Sequence, residues 1–292
     1  MRIVSLLPSA TEIVAALGLG GQLVGRSEEC DWPPEVRSLP AVTAARIDSA
    51  ELAGADIDRA VRDALAEGGS LYALDEQLVA ELRPDLVITQ DLCPVCAVSG
   101  DDVRRMQRLE CDVLSLDPRT VGEVELSIWQ IGNRLGTCGG ADAVIARMRR
   151  TIWAAASAVD PLSPRRVVVL EWLDPPFASG HWLPEMVELA GAQELLGRAG
   201  QPSRPITWDD VRAADPELLV LAPCGFDARR AAREAAGLDL PAPAVAVDAN
   251  AYYARPAPRL AEGVTQLAHL FHPNAVEDPG LPEIRMAPAA AR

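Results

Sequence analysis

At 292 residues, with 49% apolar and 24% charged side chains, the chain has the composition of a globular protein and the length for two ordinary domains. Its formal net charge of -15 repels phosphate backbones and anionic lipid, which excludes nucleic acid and membrane surfaces as partners. All 27 basic residues are Arg, and without Lys neither Schiff-base chemistry nor a lysine-based phosphate cradle is available.

The first predicted element is a strand at Arg2 to Leu7, ended by Pro8. Ser9 or Thr11 then caps a helix from Glu12 to Leu17, which Gly18 and Gly20 close. The apolar run before Pro8 is too short for a secretory leader, which needs roughly 7 to 15 apolar residues. No stretch reaches the roughly 18 apolar residues of a membrane span. The sequence therefore predicts no membrane insertion and a cytoplasmic location. In that reducing setting the six cysteines, Cys30, Cys93, Cys96, Cys111, Cys138 and Cys224, are expected as thiols. A second short strand follows at Leu23 to Gly25, then a loop from Ser27 to Pro34. Leu74 to Leu82 reads as a helix, and Arg83-Pro84-Asp85 punctuates before the buried strand Leu86 to Thr89. Val103 to Leu109 and Asp112 to Leu116 add a helix and a strand. Such alternation implies a parallel sheet with helices on its faces.

Between Thr120 and Ala158 no strand signal intervenes, and only Gly136 to Gly140 interrupts two helical stretches, Val121 to Leu135 and Ala141 to Ala158. Beyond them the pattern starts again: a strand at Arg166 to Trp172, helices at Pro184 to Ala190 and Trp208 to Ala213, and a strand at Leu218 to Ala222. Asp215-Pro216-Glu217 precedes that last strand as Arg83-Pro84-Asp85 precedes Leu86, an internal echo that supports two similar lobes. A closing helix is expected over Pro256 to Leu270, with His269 and His272 as partners for its C-terminal dipole. The fold class is thus α/β: two Rossmann-like lobes with parallel-sheet cores, residues 1–118 and 161–273, joined by long rigid helices over 119–160. Residues 274–292, rich in Pro and Ala, are expected to be a poorly ordered tail.

Several segments resemble the cobalamin-binding proteins of the helical-backbone (class III) periplasmic-binding-protein-like family, relatives of the vitamin B12 and siderophore receptors of ABC importers. They are IVSLLPSATEIVAALGLG at Ile3 to Gly20, ECDWPPEVRSLPAVT at Glu29 to Thr43 and SLYALDEQLVAELRPDLVITQDLCPVCAVS at Ser70 to Ser99. Later come LEWLDPPFASGHWLPEMVELAGA at Leu170 to Ala192 and NAYYARPAPRL at Asn250 to Leu260. The resemblance, running from residue 3 to about 273, implies a ligand cleft between two lobes that move little on binding. It further implies cobalamin or a related corrinoid as the ligand. Three departures accompany it. The N-terminal residues are not expected to serve as an export signal. The positions that would dock a permease through acidic residues hold Gln77 and Ala254, with Glu76 one residue away. The segment between Ala235 and Val247 lacks a turn and strand that relatives carry. Binding survives these departures, whereas ABC permease docking is left open.

Ligands of open α/β sheets sit at the carboxyl ends of the strands. That rule singles out Ser9, Trp32, Asp91, Trp172, Phe177, His181, Trp182, Tyr252 and Arg255. Five of them are aromatic, among twelve aromatics in the whole chain, and flat rings cover a tetrapyrrole face well. Each ring can equally pack inside its own lobe. Cys93-Pro94-Val95-Cys96 supplies half of a tetrahedral metal site, which Cys30 and His181 can complete, with Asp91 or Glu171 as further donors. The bland reading is a tight Pro94 turn with two packed thiols. Arg255 is suited to clamping an anionic group, or to a surface ion pair. There is no G-x-S-x-G, P-loop, HExxH or strand-linked G-x-G-x-x-G. The sequence therefore predicts a small-molecule binding protein, more a receptor than an enzyme, for a corrinoid or other metal-bearing ligand inside the cell. An enzyme using Cys30, Cys93, Cys96 and His181 as a metal or thiol site, and an importer receptor whose signal was removed, are the alternatives.

Overall fold

A computed structural model describes residues 1–50, 52–66, 70–91 and 111–288. It divides into two compact units, residues 1–118 with 123–145, and residues 119–122 with 146–292. The expected connector over 119–160 is thus shared out between the units. The predicted helix at Val103 to Leu109 lies outside the described residues.

The first unit contains β1 (Ile3–Ser5), α1 (Pro8–Ala16), β2 (Leu23–Arg26), β3 (Thr43–Ala45), α2 (Gly54–Ala66), β4 (Tyr72–Leu74), α3 (Glu76–Leu82), β5 (Leu86–Thr89) and β6 (Asp112–Ser115). α4 (Val121–Arg134) follows, and α5 (Cys138–Val159) runs from this unit into the next. The described strands form a parallel sheet in the order β2-β1-β5-β6, beside a small antiparallel pair of β3 and β4. β1 and β5 are buried along their whole length, as strands covered on both faces must be.

The helix after β1 starts earlier than its sequence suggests. Pro8 occupies the first turn, where its missing N–H costs nothing, and the N-cap is Leu7 without a side-chain cap. Ser9 and Thr11 therefore sit inside α1 rather than capping it. Thr11 spends its hydroxyl on Cys30 Sγ, at 3.0 Å.

The second unit contains β7 (Arg165–Leu173), β8 (Pro176–Ala178), α6 (Leu183–Leu189), β9 (Ala192–Glu194), β10 (Arg204–Pro205), α7 (Trp208–Ala214) and β11 (Leu218–Leu221). α8 (Ala228–Ala235), β12 (Ala244–Val247), α9 (Ala249–Tyr252), α10 (Leu260–Phe271) and β13 (Glu283–Met286) complete it. The sheet order is β10-β8-β7-β11-β12-β13, with β9 also paired to β7. β7, β11 and β12 form its parallel core, and Val167 to Leu170 and Leu218 to Leu221 are buried. His272, beyond α10, bonds Gly191 O through Nε2 at 2.8 Å, and His269 bonds Val276 O through Nδ1 at 2.8 Å. Both rings tie the helix end to backbone carbonyls.

The tail departs from expectation. Residues 283–286 form a strand antiparallel to β12, with Ile284 opposite Ala246. Gln266 supports the approach through Nε2, which donates to the carbonyls of Leu281 and Pro282 at 3.3 Å each. The Pro- and Ala-rich surroundings conceal a four-residue Glu-Ile-Arg-Met strand whose pairing is fixed by the partner backbone.

The internal echo has a structural basis. α3 ends in Arg83 and α7 ends in Asp215, both left-handed, with φ of 44° and 49°. Pro84 and Pro216 then forbid any continuation of the helix. Next, Asp85 N–H donates to Arg2 O at 2.8 Å while Arg2 N–H donates to Asp85 Oδ2 at 2.6 Å. In the second unit Glu217 N–H donates to Arg166 O at 2.8 Å, and Arg166 N–H donates to Glu217 Oε2 at 2.8 Å. The arginine side chains repeat the scheme: Arg2 Nε caps Leu82 O at 2.8 Å and Arg166 Nη2 caps Ala214 O at 2.6 Å. Each clasp sets the register of its two central strands. Glu217→Ala should cost about 1.5–3 kcal/mol, the usual value for a hydrogen bond to a charged group, seen as a lower unfolding midpoint in urea.

Candidate functional site

In the first unit the predicted residues follow the carboxyl ends of neighbouring strands: Ser9 after β1, Trp32 after β2 and Asp91 after β5. Ser9 is buried in α1, so its side chain belongs to the helix packing. Trp32 is 45% exposed and offers its indole to solvent. Asp91 N–H donates to Asp117 Oδ1 at 2.5 Å. The Ser115 hydroxyl lies 2.9 Å from Asp91 Oδ2 and 3.0 Å from Asp117 Oδ2, at the end of β6. Cys30 is 1% exposed and packed against Thr11. Cys93 and Cys96 lie outside the described residues, so the enzyme alternative built on them does too. Among the described residues no three His, Cys, Asp or Glu side chains gather in a way that could hold a metal ion.

The second unit brings its predicted residues closer together. β7 and β8 place Trp172 opposite Phe177, both half-buried. The Trp172 indole donates to Asp174 O at 3.1 Å, and its ring meets Phe226 with centroids 5.2 Å apart. Arg230 lies over the other ring of that pair, 3.9 Å from the Phe226 centroid. Phe226 and Arg230 escaped the sequence reading, although Phe226 stands in the loop after β11 that the strand-end rule covers. Tyr252 is half-buried under Arg259, whose guanidinium is 5.4 Å from the ring. Burial raises the Tyr252 hydroxyl, and burial also raises the Asp248 carboxyl that caps α9.

His181 is held in a left-handed conformation, φ 49°, rare for a residue with a Cβ. Three backbone contacts impose it. Gly180 N–H donates to Glu171 Oε1 at 2.7 Å, His181 N–H to Gln201 O at 2.6 Å, and Gly200 N–H to His181 O at 2.9 Å. The preceding residue must be glycine, because a Cβ on Gly180 would lie 2.3 Å from Ser203 N. The imidazole is half-buried beside the Trp182 ring, with centroids 5.7 Å apart. Burial, and then the charge of Arg119, lower its pKa from 6.5 and favour the neutral ring.

Trp182 and Arg255 are more internal than a contact surface requires. Trp182 is 7% exposed, and its indole N–H donates to Tyr253 O at 2.7 Å. Tyr253 is buried in turn, with its hydroxyl donating to Gln266 Oε1 at 2.7 Å. Arg255, 6% exposed, donates to Asn250 Oδ1 at 3.0 Å. These side chains fix the short helix that ends in Tyr252 and the loop that carries His181.

Comparison with known proteins accords with this fold. The family model described as periplasmic binding protein matches residues 3–239. The chain belongs to the periplasmic binding protein family. The vitamin B12-binding protein of Pectobacterium atrosepticum is 22% identical over the whole of this chain and 92% of its own length. A periplasmic heme-binding protein from Pseudomonas aeruginosa shares the fold, with a TM-score of 0.69, 21% identity and 98% of each chain covered. An ABC transporter substrate-binding lipoprotein from Bacillus subtilis is 28% identical over 51% of this chain and 38% of its own length. Membership of this family makes the chain a small-molecule binding protein.

The family also overturns the cytoplasmic location expected from the N-terminus. Its members are periplasmic or, as in the Bacillus subtilis relative, lipoproteins, which points outside the cytoplasm. The earlier inference used the apolar run Ile3 to Leu7, but those residues are the buried first strand and its exit. A core strand is silent about export. Among the described residues no helix is long and apolar enough to cross a membrane.

Two outcomes follow from the His181 loop. Because its folded pKa is depressed, the unfolded chain binds a proton first as pH falls, so His181 withdraws stability as pH drops below 6.5. The NMR midpoint of its ring should lie below 6.5, and Arg119→Gln should return it only part of the way, since burial is the larger cause. Gly180→Ala should cost about 2–3 kcal/mol in thermal or urea unfolding, because backbone rather than a movable side chain stands in the way.

Proposed function

We propose that this protein is an extracytoplasmic receptor for a large, flat, metal-bearing ligand, a corrinoid or related tetrapyrrole. The observation that carries the reading is the placement of accessible aromatic rings at and just beyond the carboxyl ends of the parallel strands. Trp32 provides one in the first unit, and Trp172, Phe177 and Tyr252 provide three in the second. An aromatic side chain brings about 150–250 Å² of rigid apolar surface at little rotamer cost, and a macrocycle presents a face of matching character. The names of the relatives agree in chemical class: one binds vitamin B12 and another heme, both metal-centred tetrapyrrole macrocycles.

The same reading gives the surrounding residues their tasks. Tyr253 and Trp182 hold the loop floors, so that the exposed rings need not be ordered again when ligand arrives. His181, kept neutral, has a ring nitrogen available as a donor or acceptor toward a ligand edge. Glu76, exposed in the first turn of α3, is the acidic group nearest to the position from which relatives would meet a permease.

Titration of the purified protein with cyanocobalamin, cobinamide and haemin, followed by calorimetry and visible absorption, should show binding of at least one at about 1 μM or tighter. Trp32→Ala and Trp172→Ala should each weaken it about 5- to 30-fold, the range for aromatic anchors. Flat calorimetry against all three macrocycles would remove the proposal.

A further inference from the structure

Glu194, on β9, gathers donors from separate parts of the second unit. Its Oε2 accepts from Val169 N–H on β7 at 2.9 Å, and its Oε1 accepts from Leu196 and Gly197 N–H at 3.1 and 2.9 Å. The Ser179 hydroxyl also acts on this carboxyl, in the sense that favours the ionised form. Ser179 Oγ is nevertheless buried without a completed hydrogen bond in the structure as it stands. The fit around it is close, for a Cβ on Gly197 would lie 2.2 Å from Ser179 Oγ and 2.8 Å from Glu194 Cγ. Ser179 shares Val169 with Glu194, and its carbonyl is bonded in the same turn. Its N–H donates to Val169 O at 3.2 Å and its carbonyl accepts from Arg198 N–H at 3.2 Å. It also opens the segment Ser179-Gly180-His181-Trp182, which carries the strained histidine.

We propose that Glu194 is a proton-operated latch: ionised, it draws in the Ser179 hydroxyl as a fourth donor and fixes the His181 segment, and protonated it lets that hydroxyl go. A carboxylate offers about four acceptor sites, of which backbone N–H groups fill three. Protonation, with the proton coming from solvent, converts the remaining site into an O–H donor, so Ser179 can no longer donate there. The charge-assisted bonds to the other donors weaken at the same time.

Burial sets the pH at which the latch works. It is the largest influence on Glu194 and lifts the carboxyl from 4.5 to about 7, against the lowering effect of the Gly197, Leu196 and Val169 N–H groups and Ser179. The charged and titratable groups on the surrounding elements are Arg165, Arg166 and Glu171 on β7, His181 and Arg198 in the loops, Arg204 on β10, and Glu185 and Glu188 on α6. None of them is among the causes of that shift. Several have other partners: Arg166 faces Asp215, Glu171 takes Gly180 N–H, Arg204 Nη2 caps Leu196 O, and Glu185 takes Val121 N–H. The latch therefore answers to pH around neutrality, a variable to which a protein outside the cytoplasm is exposed.

This inference deepens the binding reading by adding regulation to the same loop, and it is tested without ligand. Carbon-13 carboxyl NMR of the full chain should show Glu194 titrating near 7, with the amides of Ser179, Gly180 and His181 shifting at the same midpoint. Ser179→Ala should raise the carboxyl midpoint further, and Glu194→Gln should abolish the amide step. If Glu194→Gln fails to fold, Ser179→Ala decides alone. A carboxyl midpoint at the ordinary 4.5, or amides that follow only the His181 ring, overturns the latch. With cobinamide as probe, affinity should fall about 5-fold or more on acidification through neutrality in the wild type and stay level in Glu194→Gln. Absence of binding at every pH would defeat the receptor reading while leaving the NMR result to decide the latch.

Discussion

Each of the two larger sheets depends on a clasp at the entry to its central strands. The backbone of an arginine that opens one strand and the acidic residue that opens its neighbour exchange hydrogen bonds, with the acid's carboxylate as the second acceptor. A left-handed residue and a proline make the pairing obligatory, because they end the helix at a fixed distance from the strand. With two strands aligned at their amino ends, their carboxyl ends are aligned as well. Trp32 and Asp91 in one unit, and Trp172 near the end of β7, Phe226 after β11 and Tyr252 at the end of α9 in the other, lie along or beyond those ends. A shift of register by one residue would exchange the valines and leucines packed on the two covered faces, so the hydrophobic core and the positions that follow the strands stand on the same bonds.

Much of this was legible in the residues. The runs Leu86 to Thr89 and Leu218 to Leu221 announce strands buried on both faces, and the tripeptides around Pro84 and Pro216 announce the repeated junction. Strand-end placement then put Trp32 and His181 in loops, where they lie, whereas Trp172 and Phe177 belong to β7 and β8. What sequence could not reveal depends on contacts distant along the chain. Trp182 looks as available as Trp172 until Tyr253 O, 71 residues away, takes its indole N–H. Glu194, in an Ala-Gln-Glu strand, reads as an ordinary exposed acid, and only the folding back of residues 196–197 and 179 encloses it. Location was misread for a different reason: the fold uses its first apolar residues as a core strand whatever the compartment.

The loop at His181 shows how rigidity and responsiveness coexist in a few residues. Its backbone is over-determined by Glu171, Gln201 and Gly200, which is why an unusual dihedral persists there. Immediately upstream, Ser179 has a hydroxyl whose best acceptor changes character with one proton. A strongly held histidine next to a weakly committed serine confines adjustment to one end of the segment. The aromatic walls on β7 and β8 are held independently by strand pairing, so they do not share that adjustment.

Glu283–Met286 adds a constraint in time. β12 lies inside the sheet only because this late segment pairs along its free side. During synthesis, Ala244–Val247 is made about forty residues before its final neighbour, and until then its outer row of amides and carbonyls is an open edge. A nascent or truncated chain would carry four small apolar residues beside unpaired backbone, the combination that recruits strands from other molecules. This strand thus acts as a built-in guard against self-association, and shortening the chain there would be felt first as lost solubility.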